Sequence, residues 1–127
     1  MPHITIDYNA GIDQMLDISA LTDAVHAAAC GTGAFPIGGV RTLSRPALHS
    51  RVADRGPKGG FVQITVRIAP GRSDALKTEI VETLFAAANA AMSELFESRS
   101  DVALQLEVTE FDPRLTRSRN PMIKAAG

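Results

Sequence analysis

The sequence predicts an α/β (α+β) fold, with tandem βαβ units forming one mixed sheet and two helices on one face. Three observations carry this expectation. In "VQITVRIA", Val62, Ile64, Val66 and Ile68 alternate with Gln63, Thr65 and Arg67, the pattern of a strand with one buried face. From Leu76 onward, Ile80, Leu84, Ala88, Ala91 and Leu95 recur at helical spacing. The order strand, helix, strand occurs twice, so about residues 2–44 and 61–111 form degenerate pseudo-repeats of one βαβ unit.

The elements follow in chain order. "HITIDY" (3–8) places Ile4, Ile6 and Tyr8 on one side of a short strand, and Gly11 and Asp13 mark the turn after it. Asp17 or Ser19 can cap a helix that runs to about Cys30, with Leu21, Val25 and Ala28 or Ala29 facing inward. "GTGAFPIGG" breaks that helix, and "GGVRTLS" (38–44) reads as the second strand, with Val40 and Leu43 as its apolar members. In the polar loop 45–60, "LHSRVAD" is expected as an edge strand and "RGPKGG" as a turn. After the strand at 62–69, Ser73 is the natural cap of a helix extending to about Arg99, with Asp74 in its positive first turn. "VALQLEVTEF" (102–111) is the last strand, with Val102, Leu104, Leu106 and Val108 on one face. The tail, 112–127, is basic and proline-broken, and is expected to be irregular.

A chain of 127 residues is expected to form a single domain. Both crossover helices fall on one face of the sheet, which leaves the other face to be covered by another copy of the chain. Thirteen basic against fourteen acidic residues give a net charge of −1, with no basic stripe for nucleic acid or acidic membrane lipid. Tryptophan is absent and aromatics are 5%, too few for base-stacking platforms. No apolar run is long enough to span a bilayer and no charged start leads into an apolar stretch, so a cytoplasmic location is expected. Cys30, the lone cysteine, is expected as a small buried hydrophobe, and the sequence offers no cysteine pair for a metal. "CGTGAFPIGG" lacks the Lys–Ser/Thr of a phosphate loop and follows a helix rather than a strand.

The chemistry centres on the opening "MPHI". Removal of Met1 frees the secondary amine of Pro2. An α-amino group titrates near about 7.7–8.0. Burial and nearby positive charge can depress that value until the amine is a working base at neutral pH. An arginine's planar fork holds carboxylates bidentately, and its fixed charge can also stabilise a developing oxyanion. His3 neighbours Pro2 but points to the opposite face, where a structural hydrogen bond is expected. His26 and His49 have no triad-like partners and read as structural, while Phe35 and Ile37 are candidates for an apolar wall or for core.

"MPHI", "GTGAFPIGGVR" and "GRSDALK…FESR" together resemble the 5-carboxymethyl-2-hydroxymuconate isomerase family of the tautomerase superfamily, over a span from Pro2 to about Pro113. "GRSDALK" is also similar to the matching segment of 4-oxalocrotonate tautomerase, a relative with a single βαβ unit. The resemblance is weakest in the loop 45–60 and in the tail. Asp7 stands where many relatives carry glutamate, one carbon longer. The resemblance implies a tautomerase-like homotrimer and a cofactor-independent isomerase with neither metal nor organic cofactor. In it Pro2 is general base and then acid in the catabolism of aromatic compounds, and Arg41 and Arg72 bind a small carboxylated substrate. A tautomerase, lyase or dehalogenase of the same superfamily acting on another substrate, or a non-catalytic trimeric ligand-binding protein, also fits these residues.

Overall fold

The computed structural model describes residues 1–123. Four strands, β1 (His3–Asn9), β2 (Arg41–Ala47), β3 (Gly60–Ile68) and β4 (Val102–Glu110), form one mixed sheet in the order β2-β1-β3-β4. β1 runs parallel to β2, β3 runs parallel to β4, and the two pairs meet antiparallel at β1 and β3. Each parallel pair is joined through a helix, α1 (Ile18–Gly31) in the first unit and α2 (Asp74–Ala91) in the second, so the tandem βαβ arrangement is borne out.

The caps are those the sequence offers. The Asp17 carboxylate accepts the Ala20 N–H at 2.9 Å, and the Ser73 hydroxyl accepts the Leu76 N–H at 3.1 Å. Leu21, Val25 and Ala29 of α1 and Ile80, Leu84 and Ala88 of α2 are buried against Ile4, Ile6, Val62, Ile64, Val66 and Ile68 of the sheet. The face away from the helices carries Thr5, Gln63, Thr65, Gln105 and Glu107, all at least partly accessible in the single chain.

Four expectations need correction. The second strand starts at Arg41 rather than Gly38, because residues Ile37–Gly39 close a 3-10 turn. It also continues through Pro46, which an edge strand tolerates. "LHSRVAD" forms no strand. Val52 N–H instead donates to Gly56 O and Arg55 N–H to Val52 O, both at 2.9 Å, with Ala53 left-handed at φ 49°. The second helix is not continuous to Arg99. Met92 leaves helical geometry and α3 (Ser93–Ser98) follows it. Asn89 and Ser93, both weak helix formers, flank this break, and Met92 at the break and Leu95 after it are buried in the core. Cys30 is only half-buried, since it lies beside rather than on the inward stripe of α1.

Asn9 is the one buried polar residue of the described core. Its amide donates to Gly59 O at 3.2 Å and accepts the Phe61 N–H at 2.8 Å, tying the end of the loop to the sheet. Asn9→Ala leaves both backbone groups without that partner, so a loss of about 1–3 kcal/mol is expected, read as a lower denaturation midpoint. An unchanged midpoint contradicts this role.

Candidate active site

The chain start is built into the sheet. Pro2 is buried, and its carbonyl accepts the Arg41 N–H at 3.1 Å, which extends the β1–β2 ladder by one residue. Met1 precedes it, and the Met1 amino group is held below the usual α-amino range. Partial burial is the larger cause and the Arg72 charge the second. The surroundings of the terminus therefore favour a free amine.

The two sequence-identified arginines are placed differently. Arg41 lines a cavity of about 760 Å³ beside Met1. Arg72 does not line it. Its guanidinium donates to Ala69 O at 3.2 Å and Ala34 O at 3.0 Å and lies 4.7 Å above the buried Phe35 ring. Arg72 thus acts on the terminus through its charge while pinning the turn before α2 to the segment after α1. Phe35 belongs to the core, and Ile37 lines the cavity.

Sequence reasoning missed half of this cavity. Arg67 and Phe111 line it, as do Arg117, Arg119 and Asn120 of the tail. The tail is docked, since the Asn120 amide donates to Gly38 O at 2.9 Å and lies 3.3 Å from Met1 Sδ. The expectation of an irregular tail holds in part: Pro113–Leu115 form a 3-10 turn, and residues 124–127 lie outside the described residues. A β-carbon on Gly38 would run into the Met122 carbonyl and approach Ile123 N at 2.8 Å. Gly38→Ala is expected to undock the tail, seen as faster amide exchange over 116–122 with the sheet unchanged. Equal exchange in both proteins contradicts this docking.

His3 also faces the cavity, with Nε2 2.7 Å from the Arg41 guanidinium. Burial first, then the charges of Arg41, Arg67 and the amino terminus, lower its pKa, so the neutral ring accepts from Arg41. His26 Nδ1 lies 2.8 Å from Thr42 Oγ1, while His49 is exposed outside any strand. Asp7 pairs with Arg45 at 2.6 Å. Among the described residues, no three His, Cys, Asp or Glu side chains cluster as metal ligands, and no helix is long and apolar enough to cross a membrane.

A sequence model of 5-carboxymethyl-2-hydroxymuconate isomerase matches residues 2–125. The chain belongs to the 5-carboxymethyl-2-hydroxymuconate isomerase family. Membership places it among enzymes of the isomerase class. It is similar to the 5-carboxymethyl-2-hydroxymuconate Delta-isomerase of Escherichia coli, 29% identical over 120 residues, or 94% of each chain. A solved 5-carboxymethyl-2-hydroxymuconate isomerase from Deinococcus radiodurans R1 superposes with a TM-score of 0.88 at 26% identity, over 98% of this chain and 92% of that one. A solved delta-isomerase gives 0.83 at 28% identity, covering 98% and 91%. A fused 4-OT symmetric trimer shares the fold, with a TM-score of 0.69 at 14% identity over 92% of this chain and 93% of that one. The tautomerase-like fold expected from the sequence is thereby borne out.

Proposed function

We propose that the chain is a cofactor-independent isomerase that moves a proton in a carboxylated unsaturated dienol or enone such as 5-carboxymethyl-2-hydroxymuconate. The observation that carries this reading is the convergence of a partly buried chain terminus, an arginine-lined cavity and membership in the isomerase family. Removal of Met1 makes the Pro2 nitrogen a free secondary amine in surroundings that disfavour its charged form. As base it takes a proton from the enol oxygen or an activated carbon, and as acid it returns that proton to the other end of the conjugated system. Arg41 grips a substrate carboxylate from the cavity wall. Arg72 keeps the amine's pKa low and stabilises negative charge that builds on the enolate oxygen.

The working unit is a homotrimer. The two edge strands and the exposed Leu43 and Leu48 support self-association. The proposed setting is cytoplasmic breakdown of aromatic compounds.

The test is to follow loss of dienol absorbance with tag-free protein and no added metal or organic cofactor. Catalysed conversion of the tricarboxylate is expected, with deuterium entering the product carbon in heavy water. Faster turnover of a monocarboxylate dienol points to another activity of the superfamily. Binding without turnover points to a ligand-binding protein. Either result overturns this reading.

A further inference from the structure

The register of the sheet sets up a feature that the proposed Pro2–Arg41–Arg72 chemistry does not use. His3 in β1 stands directly opposite Arg41 in β2 and directly opposite Arg67 in β3. The three side chains therefore form one row across three adjacent strands, on the face away from the helices. Neighbouring strands lie about 4.8 Å apart, so the two arginines start roughly 10 Å from each other. The docked tail brings Arg117 and Arg119 to the same cavity.

Four arginines and a histidine thus line one cavity, and among the described residues no Asp or Glu lines it. Among the same residues none of these four arginines is ion-paired, whereas Arg45, Arg99 and Arg114 each hold an aspartate. Phe111 lies 5.3 Å from the Arg67 guanidinium and steadies it from one side, while that guanidinium makes no hydrogen bond to the described residues. Its fork is free to meet a ligand. Neutral His3 stands between Arg41 and Arg67 and keeps the row from carrying a third charge. Gathered like charges without counter-ions repel, and a bound polyanion relieves that repulsion.

We propose that Arg67, with Arg117 and Arg119 on the tail, forms a second carboxylate subsite that selects ligands bearing two or more carboxylates. The arginine fork favours a planar carboxylate, which it meets with two parallel hydrogen bonds. The carboxylate held here is the one remote from the reacting carbons, roughly one strand-pair width from the group on Arg41. The link to catalysis rests on the isomerase reading, but the binding does not.

Calorimetric titration with propane-1,2,3-tricarboxylate and with propionate tests the subsite apart from turnover. The wild-type chain is expected to bind the tricarboxylate at least about tenfold more tightly than propionate, the effect of one lost charge-assisted pair. Arg67→Gln should remove that margin, Arg67→Lys should restore part of it, and the double variant Arg117→Gln/Arg119→Gln should reduce it. In turnover, Arg67→Gln should raise KM for a tricarboxylate dienol more than it lowers kcat. Arg67 is exposed, and the tail pair gives an independent reading if the sheet variant is unstable. Wild-type selectivity without any isomerisation upholds the subsite and removes the isomerase reading. Normal isomerisation with unchanged affinity and KM in both Arg67→Gln and the tail variant overturns the subsite alone.

Discussion

Pro2→Ala is expected to lower kcat/KM by about 10²- to 10⁴-fold, the usual contribution of a positioned general base. The variant should fold normally, because alanine keeps the Pro2 carbonyl that accepts the Arg41 N–H at the start of β1. Its terminal alanine still offers an amine, but a primary one whose position the pyrrolidine ring no longer fixes. Blocking removal of Met1 should have as large an effect, since the Pro2 nitrogen then stays an amide without basicity. The pH dependence follows from the direction of the shift at the terminus. Burial and the Arg72 charge lower the pKa of the Met1 amino group, and the same direction is expected for the Pro2 amine once Met1 is removed. The free base therefore persists down to a lower pH than for an ordinary terminus, and activity is lost as the pH falls through that lowered value. Wild-type kinetics in Pro2→Ala contradict the assignment.

Arg72→Ala carries the second large effect, a drop in kcat/KM of about 10²- to 10³-fold, the scale for losing one preorganised donor to a developing oxyanion. The same change removes a positive charge that depresses the terminal pKa. The acidic limb of the pH–rate profile should consequently move to higher pH, leaving less free base at neutral pH. Ala69 O and Ala34 O also lose their donor, so thermal stability should fall. Arg72→Lys separates the roles. It should return the pH limb towards its wild-type position while leaving stability and oxyanion stabilisation impaired, because an ammonium cannot reproduce the fork. Unchanged kinetics and pH profile in Arg72→Ala would remove Arg72 from the chemistry and leave it as a structural tie.

Much of this fold is legible because its core elements are periodic. Val62 to Ile68 alternate without exception, and Leu21, Val25 and Ala29 mark one stripe of α1, so strand and helix identities follow from single residues. The start of β2 is not legible in this way. Gly38 and Gly39 are used by a turn whose geometry leaves no hydrophobic period. The break at Met92 is hidden for the opposite reason, since the apolar spacing runs through it.

The candidate site divides along the same line. Pro2, Arg41 and Arg72 are recognisable from their residue types and neighbouring motifs. Arg67 is visible only as an outward-facing residue of a strand, because its alignment with His3 and Arg41 depends on strand register. Asn120, Arg117 and Arg119 leave no periodic trace, since the tail is held by an amide-to-backbone hydrogen bond and a close approach to glycine.

The most direct measurement is a nitrogen NMR titration of Pro2 in tag-free protein, run beside the pH dependence of kcat/KM for the tricarboxylate dienol. The expected result is a chain beginning at Pro2, with an amine pKa below that of an unperturbed prolyl terminus and equal to the acidic limb of the rate profile. An active enzyme that keeps Met1, or a Pro2 amine that titrates at its ordinary value while the rate profile turns elsewhere, would contradict the role of the terminal amine.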